Sequence, residues 1–171
     1  MVPYESGFLG ATGMCEEIAS HIQGKAIEES KRLAALRGEP DDVAGSGMRN
    51  SHLIAYAPNA SSASLLGASP ATEPWTANAF TAQGRAGSFL IKNKYLEKLL
   101  ESKGENTPEN WKTILADKGS VRNLTCLTEE EKKVFKTWSE ISPMWQIEHA
   151  AVRQPYVCQA QSLNIKVGGD T

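Results

Sequence analysis

Met14, Ile18, Ile22 and Ala26 fall four residues apart, and Leu33 and Leu36 continue the stripe. That spacing is helical and predicts a long helix over 14–37, with Glu16, Glu17, Lys25, Glu28, Glu29, Lys31 and Arg32 on the other faces. Gly38 and Pro40 end it. The 41–47 segment is a loop by composition. His52-Leu-Ile-Ala-Tyr-Ala57 is a short, almost continuous apolar run between polar Arg49-Asn50-Ser51 and Pro58. It predicts a strand buried on both faces, as in a parallel sheet. The 58–67 stretch then predicts a tight turn and one or two helical turns closed by Gly67. Glu73 precedes Pro74 and is therefore extended. Segments 80–83 and 88–91 predict a hairpin around 84–87.

Three helices should follow. The 93–103 stretch carries Tyr95, Leu96, Leu99 and Leu100, and 108–118 opens with Thr107 as cap and Pro108 at the first helical position. Thr128 with Glu131 three residues on forms a capping box. Val134, Trp138, Ile141, Trp145 and Val152 then trace one face. Pro143 requires a kink or break there, with Ser142 as candidate cap of the second piece. The 156–167 stretch reads as a final strand and 168–171 as a frayed end. Helices alternating with buried strands make the fold class α/β.

Composition narrows the function classes. The 171 residues hold 18 Lys plus Arg against 20 Asp plus Glu, a net charge of −2, so there is no basic field of the kind that neutralises nucleic acid. No apolar run approaches the roughly 20 residues of a membrane helix, and the N-terminus has no signal-peptide pattern. Cys15, Cys126 and Cys158 are odd in number and far apart, which argues against zinc and disulfide frameworks. A cytoplasmic, non-membrane protein is expected.

The strongest local candidate is the turn formed by Pro58, Asn59, Ala60, Ser61 and Ser62. Small residues let a phosphate approach backbone N–H groups, and the two serine hydroxyls add donors. Serine-rich turns also simply cap helices. Glu73 is read as an exposed loop carboxylate rather than a general base. His21, His52 and His149 have no nucleophile at catalytic spacing. Trp138, Trp145 and Phe135 are read as core, Lys92, Lys94 and Lys98 as a solvated face, and the cysteines as small buried apolar side chains.

Met48-Arg-Asn-Ser-His-Leu-Ile-Ala55, then Ala57-Pro-Asn-Ala-Ser-Ser62, Gly67 and Glu73-Pro74, resembles the large, catalytic subunit of class I ribonucleotide reductases. Asn78-Ala-Phe-Thr81, Gly87-Ser-Phe89, Gly119-Ser-Val121, Phe135-Lys-Thr137, Glu140-Ile141, Ala150-Ala-Val-Arg-Gln154 and Gln159-Ala-Gln-Ser-Leu-Asn164 continue in family order. The resemblance covers essentially the whole chain. It implies a single partial domain over 1–171, the late strands and helices of a ten-stranded α/β barrel. It also implies that Pro58, Asn59, Ala60, Ser61 and Ser62 hold the phosphates of a ribonucleoside diphosphate, although Asn59 and Ala60 depart from many members.

The family's Asn-x-Cys-x-Glu radical loop does not occur in this sequence, so no catalytic residue and no metal ligand is expected in this chain. The resemblance implies that the radical cofactor sits on a separate small subunit. The implied partners are the rest of the large subunit, that small subunit, the nucleotide and a thioredoxin- or glutaredoxin-type reductant. A standalone phosphate-binding or regulatory module of the same fold is the alternative.

Overall fold

The computed structural model describes residues 1–84 and 87–166. In chain order its elements are α1 (Ala11–Arg37), α2 (Ala60–Leu66), β1 (Ala79–Gly84), β2 (Gly87–Lys92), α3 (Lys94–Ser102), α4 (Pro108–Ala116), α5 (Glu129–Val134) and α6 (Pro143–Arg153). Single 3₁₀ turns lie at Asp41–Val43, Trp138–Glu140 and Gln154–Tyr156. β1 and β2 form the antiparallel hairpin, in register from Ala79 opposite Lys92 to Gly84 opposite Gly87. The centre of the expected turn, 85–86, and the end, 167–171, lie outside the described residues.

The core lies where α3 and α4 meet β1 and the following loops. Leu96 and Leu100, one helical turn apart, are fully buried with Ile114, and Ala79, Trp111, Val121, Leu124, Leu127 and Phe135 close around them. Burying each such leucine or isoleucine contributes about 1.5–3 kcal/mol. The helix starts are those the sequence encodes. The Asn93 side chain accepts from Tyr95 N–H, Thr107 accepts from Asn110 N–H ahead of Pro108, and Thr128 and Glu131 make the reciprocal capping box.

One polar side chain ties these pieces together. Asn78 Nδ2 donates to the carbonyls of Gly119 (3.0 Å) and Phe135 (2.7 Å), and Asn93 Nδ2 donates to Asn78 Oδ1 (3.0 Å). Gly119 has φ +87° and an added Cβ would lie 2.3 Å from Ala77 Cβ, so this junction admits only glycine.

Several expectations are corrected. The apolar stripe of α1 does not face the core: Met14, Ile18 and Ile22 are 49%, 53% and 45% exposed. The buried side of α1 consists of Thr12, Gly13, Ala19, Ser30 and Ala34, all small residues; Gly13 packs against the Phe8 backbone, and α6 is the helix in contact with α1. Ser30 Oγ also accepts from the N–H groups of Arg49 and Asn50 and donates to Asn50 Oδ1, which anchors the next segment. The face 134–152 is not one helix. The break expected at Pro143 is present, with Pro143 opening α6, but the preceding piece is shorter than the stripe suggested: α5 already ends at Val134, and Trp138–Glu140 is a separate 3₁₀ turn. Ser142 makes no side-chain cap bond; its N–H instead donates to Glu5 Oε1 (3.2 Å).

Segments 53–57 and 159–162 are extended and run parallel. Gln159 N–H donates to Ile54 O, Tyr56 N–H to Ala160 O, and Ser162 N–H to Tyr56 O. The expected strand buried on both faces is reduced to an extended segment with one parallel bridge, at Tyr56, and it is only half-covered: Ala55 and Ala57, two residues apart on one face, are exposed. The strand expected over 156–167 is not formed: Gln154–Tyr156 is a 3₁₀ turn, and among the described residues beyond it the only ladder contact is the isolated parallel bridge of Gln161 with Tyr56. No helix among the described residues is long and apolar enough to cross a membrane.

Candidate functional site

The extended 53–57 segment delivers the chain directly into the candidate turn. Asn59 N–H donates to Pro70 O (2.7 Å) and Asn59 Nδ2 to Ala57 O (3.1 Å), which fixes the bend from both sides. α2 follows, with no side-chain bond capping its N-terminus, and Gly67 in the left-handed conformation closes it. Lys94 Nζ donates to Leu66 O (2.9 Å), placing a cation at the carbonyl end of α2. Pro58, Asn59, Ser61 and Ser62 are all exposed, so the turn is open to a ligand.

The turn forms one side of a cavity of about 340 Å³. Asn59, Ser62 and Ala63 line it with Tyr56 from the entering segment, Ser69 and Thr72 from the return loop, and Ser162 from the 159–162 segment. The volume suits a small polar ligand group. Among the described residues, no three His, Cys, Asp or Glu side chains converge to hold a metal ion.

The family model of the ribonucleotide reductase barrel domain matches residues 39–171. The chain belongs to the ribonucleotide reductase barrel-domain family. It is 42% identical over 155 residues to a ribonucleoside-diphosphate reductase large subunit of Invertebrate iridescent virus 3, covering 86% of this chain and 24% of that one. It is 37% identical over 134 residues to the large subunit of Danio rerio, covering 78% and 16%. The class Id ribonucleotide reductase alpha subunit of Actinobacillus ureae superposes with a TM-score of 0.85 at 42% identity, covering 96% of this chain and 30% of that chain. The chain thus spans less than a third of these reductase subunits.

Three polar groups near the ribonucleotide reductase turn escaped sequence reasoning. Glu73 is buried, at 7% exposure, rather than exposed in a loop. Its Oε1 accepts from both Asn164 N–H (2.6 Å) and Asn164 Nδ2 (3.0 Å). Arg153 is buried at 5% exposure and forms no ion pair among the described residues. Its Nε donates to Gln161 Oε1 (3.0 Å), a second nitrogen donates to Cys15 Sγ (3.1 Å), and the guanidinium lies over the Tyr56 ring. Ser162 is the third, exposed toward the cavity.

The other candidates take structural places. Lys92 pairs with Glu97 and covers the Trp111 ring, so it is not simply solvated. Cys158 is exposed rather than buried and borders a separate cleft of about 290 Å³. The N–H groups of Ile54 and Leu53 pull its thiol down to about 7, against a small opposing effect of burial. His21 and His52 are exposed.

His149, by contrast, is buried and stacked on Tyr4 at 4.3 Å, with its Nε2–H donating to Tyr4 O (3.1 Å). Burial pushes its pKa below the ordinary 6.5; the bond to Tyr4 opposes this and Arg153 adds to it. Burial likewise pushes the Tyr4 hydroxyl up to about 12. A depressed histidine pKa means that the unfolded chain takes up the proton first. Stability from neutral His149 is therefore present above about pH 6.5 and lost as pH falls through the folded-state value. The urea midpoint should drop between pH 7.5 and 5.5, above the carboxylate range, and His149→Gln should flatten that slope. An unchanged slope in the variant would assign the pH dependence elsewhere.

Proposed function

We propose that this chain is the C-terminal barrel portion of the large subunit of a cytoplasmic ribonucleoside-diphosphate reductase, which converts ribonucleoside diphosphates to deoxyribonucleoside diphosphates by radical chemistry. The observation that carries the reading is the turn at 58–62, whose Asn59 and Ser62 line a ligand-sized cavity, within the part of the chain that matches the family. The turn holds the diphosphate through backbone N–H groups and the hydroxyls of Ser61 and Ser62. This chain orients the substrate, and the sulfur radical comes from polypeptide outside it, because the Asn-x-Cys-x-Glu pattern does not occur in this sequence. The radical cofactor resides on a separate small subunit, and a thioredoxin- or glutaredoxin-type protein regenerates the reduced enzyme.

The surface supports assembly with the remainder of the large subunit. Met14, Ile18 and Ile22 present an apolar face on α1 that the described residues leave about half exposed, and the relative it superposes on is more than three times longer. A monomer gains nothing from a contiguous apolar helix face in water.

The test is reconstitution. Co-expression with the remaining portions of the large subunit, followed by addition of small subunit and reductant, should yield dCDP from CDP. Ser61→Ala and Ser62→Ala in that complex should each raise the KM for CDP about fivefold or more, the loss of roughly 1 kcal/mol per bond to a charged group. Pyrophosphate binding by the chain without any restored reduction would instead identify a non-catalytic phosphate-binding module.

A further inference from the structure

Segment 161–164 is pinned at both ends by buried charged side chains. Arg153 holds Gln161 through its side-chain oxygen, and Glu73 holds Asn164 through two bonds to one carboxylate oxygen. Gln161 Nε2 is also committed, to Ala150 O (2.9 Å) and Gln154 Oε1 (2.8 Å). Along an extended strand successive side chains face opposite sides. Gln161 faces the buried cluster, and Ser162 therefore faces the cavity, which it lines together with Ser62 and Asn59 of the turn.

Arg153 adds a second observation. An unpaired buried charge costs several kcal/mol, and this guanidinium has hydrogen-bond acceptors but no ion pair among the described residues. It sits directly behind two cavity-wall residues, packed over Tyr56 and bonded to the neighbour of Ser162. An anion in the cavity would supply the missing negative charge across that wall.

We propose that segment 161–164 is the far wall of the substrate cavity, where Ser162 donates to the bound diphosphate while Arg153 and Glu73 position it through Gln161 and Asn164. This rests on the reductase reading of the turn and adds to it a contact from the opposite side. Arg153 and Glu73 act through other residues. Only Ser162 touches the ligand.

Inorganic pyrophosphate is the probe, followed by ³¹P NMR with the full chain at low micromolar concentration. Ser62→Ala and Ser162→Ala should each weaken binding about tenfold while leaving the far-UV CD spectrum and Tm unchanged, since both side chains are exposed. Asn164→Ala, which removes one of the two bonds to Glu73, should weaken it about threefold, and binding of a nucleoside without phosphates should not change. Weakening by Ser62→Ala alone would overturn the far wall and leave the turn as the phosphate site. Failure of wild type to bind pyrophosphate would overturn this inference, while the reductase reading stands or falls on reconstitution. In the reconstituted enzyme Ser162→Ala should raise the KM for CDP about tenfold with kcat within twofold; an unchanged KM would equally overturn the contact.

Discussion

Asn78→Ala is expected to destabilise the chain by about 3–5 kcal/mol, a drop in Tm of roughly 10 °C or more for a domain of this size. Two buried partners would be orphaned: Phe135 O loses its only bond from the amide, and Asn93 Nδ2 loses its acceptor. Gly119 O would keep the Asn78 backbone N–H, so it adds little. Each buried polar group left without a partner costs about 1–3 kcal/mol, and the vacated amide volume adds a cavity term. Collapse cannot relieve that void, because Gly119 and Ala77 are already in contact-limited positions. Asn78→Asp discriminates the hydrogen-bond explanation from a packing one. It keeps the volume and the acceptor for Asn93 but turns a carboxylate oxygen toward two carbonyls, and it should be at least as damaging as alanine. Urea midpoints for both variants decide the matter, and a loss below about 1 kcal/mol for Asn78→Ala would show that the asparagine is not the tie between α3, β1 and the 119–135 loops.

Local signals in this sequence translated directly into structure. Thr107 with Pro108, Thr128 with Glu131, and Gly67 after α2 each act within one helical turn, so nothing distant can override them. Pro143 is of the same kind: its ring and missing N–H break the helix whatever surrounds it. The open turn at 58–62 was legible for a similar reason, since extended segment, turn and glycine stop are consecutive, and the family resemblance points to the same residues.

What was not legible depends on partners far along the chain or outside it. Glu73 and Asn164 are 91 positions apart, and a carboxylate before proline carries no local mark of burial. Arg153 in the last turn of α6 reads as an ordinary helix-end cation, although it is buried against Tyr56 and Gln161. On α1 the periodicity located the helix but assigned its faces wrongly. The buried side is built from alanine, serine, threonine and glycine, which carry little hydrophobic signal, whereas the conspicuous Met14, Ile18 and Ile22 are about half exposed. A periodic apolar stripe reports that a surface is covered in the working protein, and not by which polypeptide.

That distinction makes the double variant Ile18→Asp with Ile22→Asp the sharpest probe of assembly. In the isolated chain both side chains are exposed, so Tm should stay within the scatter of ordinary surface substitutions, about 0.5 kcal/mol, and the tendency to aggregate should fall. In the reconstituted reductase the same positions are expected to be buried against the rest of the large subunit. Each isoleucine removed from an interface forfeits about 1.5 kcal/mol or more, and each introduced carboxylate would be desolvated without a partner. Co-assembly should weaken at least 100-fold, equivalent to about 2.7 kcal/mol, and dCDP formation should require correspondingly more of the variant. Ala19→Asp, on the same helix but 2% exposed, is the contrasting control, because that position is buried against this chain itself and the variant should lose its own fold. Should the outward face instead seat a second copy of this chain, sedimentation would show a concentration-dependent dimer that the double variant abolishes, with reconstitution unaffected. That result, or full complementation by the double variant, would reject the large subunit as the occupant of α1's outer face.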